Sequence, residues 1–261
     1  MTRSKPQITR VALVTGASTG IGKAVAIRLG KEGFIVGMIA RRPDVLAAAE
    51  NEVAATGAKT FAYAVDVTRE ADLRKAIGNL IEETGRLDVL VANAGTGSPT
   101  PAAALKFEAV KDVIDLNVTG FAACVSFALP QMLKQASGHI VGISSLAAFR
   151  GMPEHGAYSA SKAFVAMFLE SLRVDLRGTG VHVTTVYPGF VRTPMTDKNK
   201  FKMPFMQEPE QAAEYIWQGI VKNKSHVAFP FPIASLTRVA TWLPNSAYDA
   251  IMSAGKPKIK K

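Results

Sequence analysis

Tyr158 and Lys162 stand four residues apart in a stretch of helical periodicity, so their side chains leave one face of a helix and can act together. A free phenol titrates at about pH 10, too high to exchange a proton readily at neutral pH, and a nearby ammonium lowers that value by stabilising the phenolate. On an ordinary helix the pair would be a polar surface contact. Ser145 changes the reading. It lies thirteen residues before Tyr158, at the end of a predicted strand over His139–Ser144. Ligands in open α/β sheets bind just beyond the carboxyl ends of strands, where a hydroxyl can orient a substrate oxygen. An acyl-hydrolase serine would need Gly-x-Ser-x-Gly, but the sequence reads Gly142-Ile143-Ser144-Ser145-Leu146, without the final glycine.

Gly16, Gly20 and Gly22 follow a buried strand and open an amphipathic helix in VALVTGASTGIGKAVAIRLG. Such glycines permit a tight turn and close approach of a pyrophosphate to the backbone, with the helix N-terminus facing the phosphates. A nucleoside-triphosphatase loop would need Gly at position 17 and Ser or Thr at position 24, and both are Ala. The second strand ends in Ala40-Arg41-Arg42, with no carboxylate before Asp44, which follows Pro43. Where NAD-binding folds place an acid on the ribose hydroxyls, two guanidinium groups suit a 2′-phosphate, so NADP(H) is the expected cofactor. An oxidised nicotinamide beside Tyr158 would also favour its phenolate.

Seven short apolar runs must position these groups: Val11–Thr15, Phe34–Ala40, Thr60–Val65, Val89–Asn93, His139–Ser144, His182–Tyr187 and His226–Phe229. They alternate with helical segments, the pattern of a doubly wound α/β fold with a parallel sheet and helices on both faces. Two helices are long, about Lys106 to Gln135 and about Tyr158 to Arg177. Thr193 to Gln207, with Met195, Met203, Met206, Phe201 and Phe205, reads as a mobile apolar loop over a hydrophobic substrate. With 261 residues and no internal linker, a single domain is expected. His139, His182 and His226 start strands, at the end away from the crevice, and take no role. His155 is near Tyr158, but a histidine in a Gly- and Pro-containing loop is ordinarily solvated.

The single cysteine, Cys124, excludes an intrachain disulfide and a multi-thiolate metal site, and with no export signal at the N-terminus a cytoplasmic protein is expected. The net charge of +10 has one dense cluster, Lys256, Lys258, Lys260 and Lys261, and without interleaved aromatics it does not read as a nucleic-acid surface. Phe229 to Leu243 is apolar, with Ile233, Leu236, Ala240 and Leu243 at helical spacing, but it is broken by prolines and too short to span a bilayer. Packing over the crevice or at a subunit contact is expected there, with peripheral membrane contact through Trp242 and the lysine tail the lesser alternative.

From Thr15 to Thr193 these motifs resemble the classical short-chain dehydrogenase/reductase family, in the family's order. Its glycine motif stands as Thr15-Gly16-Ala17-Ser18-Thr19-Gly20-Ile21-Gly22, its adenine-side Asp as Asp66-Val67, and its Asn-Ala-Gly as Asn93-Ala94-Gly95. The active-site Asn, Ser, Tyr and Lys fall on Asn117, Ser145, Tyr158 and Lys162, and Pro-Gly on Pro188-Gly189-Phe190-Val191-Arg192-Thr193. Ser144 is a minor alternative to Ser145. The resemblance implies a Rossmann-type fold and hydride transfer between NADP(H) and a carbonyl or alcohol. In it Ser orients the substrate oxygen, Tyr exchanges the proton, Lys holds the nicotinamide ribose and lowers the Tyr pKa, and Asn supports a water. Val191 and Thr193 would meet the carboxamide. Many NADP-using relatives have a basic residue where Thr19 stands, which leaves more of the discrimination to Arg41. Homo-oligomers are also implied, dimer or tetramer, through the long helices that carry Phe121, Phe127, Phe164 and Phe168. The rival is a binding protein that senses NADP without turnover.

Overall fold

The computed structural model describes residues 9–198 and 203–254, so Phe201 and the four tail lysines lie outside the described residues. Seven strands, β1 (Val11–Thr15), β2 (Ile35–Ala40), β3 (Thr60–Ala64), β4 (Val89–Ala92), β5 (Gly138–Ile143), β6 (Val181–Pro188) and β7 (His226–Phe229), form one parallel sheet. Each lies within one residue of its expected bounds. The order is β3-β2-β1-β4-β5-β6-β7. The strands read as unbroken apolar runs because helices cover both faces; β1, β4 and β5 are buried throughout.

Helices α1 (Gly20–Lys31), α2 (Pro43–Ala54) and α7 (Pro209–Val221) pack one face through Leu29, Leu46, Val53, Ile216 and Trp217. Helices α3 (Glu70–Thr84), α5 (Phe121–Gln135) and α6 (Gly156–Asp175) pack the other through Leu73, Leu80, Val125, Met132 and Leu169. The chain winds one way from β1 to β3 and the other from β4 to β7, so the strand order reverses between β1 and β4. The crevice outside their carboxyl ends is where such sheets bind ligands. This is the expected Rossmann-type architecture.

The long helix expected over 106–135 is interrupted. An α-helix, α4 (Phe107–Ile114), runs into six π-helical residues, Asp115–Gly120, before α5 begins. The wider turn brings Asn117 to 1% exposure. Gly120 is required there, since a Cβ would lie 2.9 Å from Val67 Cγ2. Residues 107–135 are long and apolar enough to cross a membrane by composition, yet Phe121, Cys124, Val125, Ala128 and Met132 are buried against the sheet. The aromatic rings assigned to a subunit contact pack largely within the chain: Phe121 sits edge-on to Phe168, which stacks on Phe164, and Phe127 lies beneath the Arg74 guanidinium.

The loop after β6 is pinned at both ends. Val191 bridges Gln207, Arg192 pairs with Glu208 at 2.9 Å, and a single 3-10 turn covers Thr196–Lys198. The C-terminal segment is helical, α8 (Phe231–Ala240) and α9 (Asn245–Ser253); in α8 Ala234 is buried and Ile233 half-buried, while Leu236 points outward.

His139 is buried in β5 beside His182 of β6 and hydrogen-bonds Thr184 Oγ1 at 2.7 Å. Desolvation, with the His182 charge, pulls its pKa down to about 4. The unfolded chain takes up a proton at about pH 6.5 and the folded chain only near 4, so stability is full above 6.5 and falls as pH drops through that window, by about 3 kcal/mol. Thermal unfolding at several pH values should therefore show a shallower acid loss in His139→Gln than in the parent chain; equal losses would exclude His139 as the cause.

Candidate active site

The carboxyl ends of β4, β5 and β6 and the start of α6 bring the expected catalytic residues together. Ser145 stands two residues beyond the end of β5; its Oγ accepts from Ala147 N at 3.1 Å, which starts the next turn, and hydrogen-bonds the Tyr158 hydroxyl. Ser144 turns away, donating to the Lys162 carbonyl at 2.7 Å, so Ser145 is the hydroxyl at the site. Lys162 projects from α6 one turn after Tyr158, and its Nζ donates to the Ile143 carbonyl at 2.8 Å, 5.8 Å from the Tyr158 ring centroid. A Cβ on Gly95 would sit 3.2 Å from Asn117 Oδ1 and 3.4 Å from Lys162 Nζ, so this glycine lets β4's loop pass between them.

Burial pulls Lys162 down to about 8. Burial also raises the Tyr158 phenol above its ordinary value, with the Ser145 hydrogen bond acting in the opposite direction. Burial thus works against the expected lowering of Tyr158, while Lys162 Nζ, donating to a main-chain carbonyl, stays 5.8 Å from the phenol ring, where its charge favours a phenolate once one forms. Tyr158 therefore holds its proton at neutral pH, the state that a donor to a carbonyl oxygen requires.

Asn117 uses its whole amide. Its Nδ2 donates to the Thr96 carbonyl and to Ser161 Oγ, both at 2.9 Å, and its Oδ1 accepts from Thr96 N at 2.8 Å. Ser161, wholly buried, donates onward to the Tyr158 carbonyl at 2.7 Å. Thr96 and Ser161 were not singled out in the sequence; Ser161 could have been, since it lies between Tyr158 and Lys162, where a small hydroxyl can tie one helix to another.

The glycine loop fits a dinucleotide. Gly16 and Gly20 have φ of 64° and 54°, and a Cβ on Gly22 would stand 2.2 Å from the Gly16 carbonyl oxygen. Thr19 N-caps α1 without a side-chain hydrogen bond, so main-chain amides, flanked by Ser18 and Ile21, face the crevice where phosphate would lie. Asn93 Nδ2 holds the loop from β4 through Thr15 O at 2.9 Å, while Asn93 N and Ala94 N donate to Thr15 Oγ1. Thr193 reaches the same loop, its Cγ2 2.7 Å from where a Cβ on Gly20 would stand, while Val191 is buried and its carbonyl accepts from Thr196 Oγ1. Pro188 ends β6, and Gly189 N donates to Phe229 O at 2.7 Å. A cofactor at about 100 times its Kd stabilises a protein by about 2.7 kcal/mol. Gly22→Ala is expected to abolish that increment in thermal shift with NADPH; an unchanged shift would remove the loop from the cofactor site.

Arg41 and Arg42 are exposed at the end of β2, Arg42 N-capping α2. Arg41 Nη1 stands 3.6 Å from Asp66 Oδ2, so two residues expected to act separately form a pair. Burial pushes Asp66 upward, but hydrogen bonds from Thr68 and the Arg41 charge outweigh it and hold the carboxyl below its ordinary value. Val67, next to Asp66, is buried against Gly120. Met195 and Tyr158 both flank Gly97, the Met195 Sδ 3.3 Å and the Tyr158 ring 3.7 Å from a Cβ placed there. Among the described residues no cluster of three or more His, Cys, Asp or Glu could hold a metal. His155 directly precedes α6, its Nδ1 3.2 Å from the Pro153 carbonyl.

Comparison with known proteins gives the same picture. A family model described as short chain dehydrogenase matches residues 10–203. An uncharacterized oxidoreductase of Myxococcus xanthus is 49% identical over 92% of this chain and 95% of its own length. Among solved structures, a short chain dehydrogenase from Mycobacterium paratuberculosis bound to NAD is 27% identical, with a TM-score of 0.77 over 85% of this chain and 96% of that one. An actinorhodin polyketide ketoreductase with NADPH is 31% identical, with a TM-score of 0.78 over 85% and 95%.

Proposed function

Because this chain belongs to the classical short-chain dehydrogenase/reductase family and is an oxidoreductase of the carbonyl/alcohol pair using a nicotinamide dinucleotide, we propose that it is an NADPH-dependent reductase of hydrophobic ketones or aldehydes. The observation that carries this reading is the meeting of Ser145 with Tyr158, one helical turn from Lys162, at the carboxyl edge of the sheet. Arg41 and Arg42, at the ribose end of the crevice, support the phosphorylated dinucleotide. Met195, which shares Gly97 as a neighbour with Tyr158, and Phe149, stacked on Tyr187 at 4.9 Å after Ser145, support an apolar substrate.

The bound cofactor supplies the hydride. Ser145 holds the substrate oxygen against Tyr158, which donates its phenolic proton as that oxygen gains negative charge. Lys162 stabilises the resulting phenolate and holds the nicotinamide ribose. Asn117 supports the proton path through the main chain of its π turn, since its amide is occupied by Thr96 and Ser161. Gly16, Ser18, Thr19, Gly20, Ile21 and Gly22 would hold the pyrophosphate, Asp66, Val67 and the Asn93-Ala94-Gly95 loop the adenosine side, and Pro188, Gly189, Val191 and Thr193 the nicotinamide side. A cytoplasmic homo-oligomer is the setting that completes the proposal; the one thiol, Cys124, is buried and pushed up to about 12 by desolvation, so it is inert.

A panel of hydrophobic ketones and aldehydes, scored by loss of NADPH absorbance, tests the reading. Turnover with NADPH well above that with NADH is expected. Preference for NADH, or turnover confined to charged polar carbonyls, would overturn it.

A further inference from the structure

Helix α8 is amphipathic the wrong way round for a solvated helix. Its inward side is Ala234, Ile233 and Thr237, while Phe231 (81% exposed), Leu236 (68%), Val239 (64%) and, just beyond its end, Trp242 (88%) face out. At 100° per residue these four fall within about half of the helical circumference, together with Arg238. A surface helix ordinarily turns that stripe to the core. Ile251 of α9 is exposed as well.

The segment is held in place rather than loose. Arg150, in the loop after Ser145, donates to the Leu243 carbonyl at 3.2 Å and to Asn245 Oδ1 at 3.3 Å, with its guanidinium over the Tyr248 ring, and Tyr248 Oη donates to Gly151 O at 2.8 Å. The connection from α8 to α9 and the first turn of α9 are therefore tied to the loop that carries the catalytic hydroxyl.

Charge identifies what covers it. Residues 230–261 contain five basic residues, Arg238, Lys256, Lys258, Lys260 and Lys261, and one acid, Asp249. The four lysines follow α9 within eight residues of its last residue, Ser253. At the neighbouring sheet edge Arg173, Lys224 and Arg238 surround His226 closely enough to disfavour its charged form, after burial. A second copy docking on this face would bring like charges together, whereas an anionic surface would be attracted by them.

We propose that α8 and α9 dock the protein on anionic lipid, with Phe231, Leu236, Val239 and Trp242 entering the headgroup boundary and the positive charge of Arg238 and of the sequence after α9 favouring an anionic over a neutral surface. The site reading above does not depend on this.

Full-length protein sedimented with vesicles of phosphatidylcholine and phosphatidylserine in equal parts should partition at low salt and be released at high salt. Trp242 emission should shift to the blue, while Trp217, buried in α7, stays constant. Replacing Lys256, Lys258, Lys260 and Lys261 by Gln should weaken binding on the order of fivefold per charge. Leu236→Ser with Trp242→Ser should weaken it about tenfold or more. Both variants are expected to bind NADPH and unfold as the parent does. Absence of binding, equal binding to phosphatidylcholine alone, or conversion of an oligomer to monomer by Leu236→Ser with Trp242→Ser at unchanged vesicle binding would each overturn the proposal.

Discussion

Tyr158→Phe is expected to lower kcat for carbonyl reduction between about a hundredfold and ten-thousandfold, the range spanned by a positioned proton donor. The substitution removes one oxygen. The ring still packs beside Gly97, Ser145 keeps its bond to Ala147 N, and Lys162 keeps its bond to Ile143 O, so NADPH affinity and thermal stability should change little. The same geometry sets a pH dependence. Burial raises Tyr158, so its proton stays in place through the neutral range, while Lys162 sits at about 8. As pH rises through about 8 the ammonium is lost, and with it the charge that stabilises the phenolate formed when Tyr158 gives up its proton. The profile of kcat/KM for reduction should therefore fall on its alkaline side near 8. A rate that kept climbing to pH 10 would show that Lys162 does not act through its charge.

Arg41→Ala combined with Arg42→Ala is expected to raise the KM for NADPH by about tenfold to a hundredfold and to leave that for NADH within about threefold, given about 1.5–3 kcal/mol in all for charge-assisted hydrogen bonds to a solvent-exposed phosphate. Two effects point the same way. The 2′-phosphate loses its planar donors, and Asp66, held now by Arg41 at 3.6 Å, loses its cationic partner and keeps only its hydrogen bonds from Thr68, which leaves its negative charge uncompensated near the end of β2. Because both arginines are exposed, added salt should erode the parent enzyme's preference for NADPH. A double variant in which both cofactors weaken equally would assign the arginines to general attraction of anions.

The sheet was legible because its strands are buried on both faces, which leaves continuous apolar runs with little alternation to misread; β3, at the edge and half-buried, was visible through Thr60, Phe61 and Tyr63. The glycine loop was legible because Gly16 and Gly20 need positive φ and Gly22 has no room for a Cβ. Other features depend on contacts between distant residues, which periodicity does not report. The π turn that aims Asn117 is such a case: residues 106–135 carry a helical pattern throughout, and only packing of Gly120 on Val67 shows where the helix widens. The Asn117–Ser161 hydrogen bond joins residues 44 positions apart, and the Arg150 contacts join residues more than 90 apart. For α8, spacing reveals that an apolar stripe exists; the side that faces the protein is set by Ala234, small enough to pack closely.

The central claim is that Tyr158 delivers the proton while NADPH delivers the hydride to one carbonyl. Its most direct test is turnover of a hydrophobic ketone with NADPH deuterated at the transferring position, in the parent enzyme and in Tyr158→Phe, with the product examined by mass spectrometry. The account predicts deuterium on the carbinol carbon in the parent enzyme and product formation slowed at least a hundredfold or so in the variant, at similar NADPH affinity. Undiminished deuterated product from Tyr158→Phe, or binding of NADPH without any transfer by the parent enzyme, would contradict it.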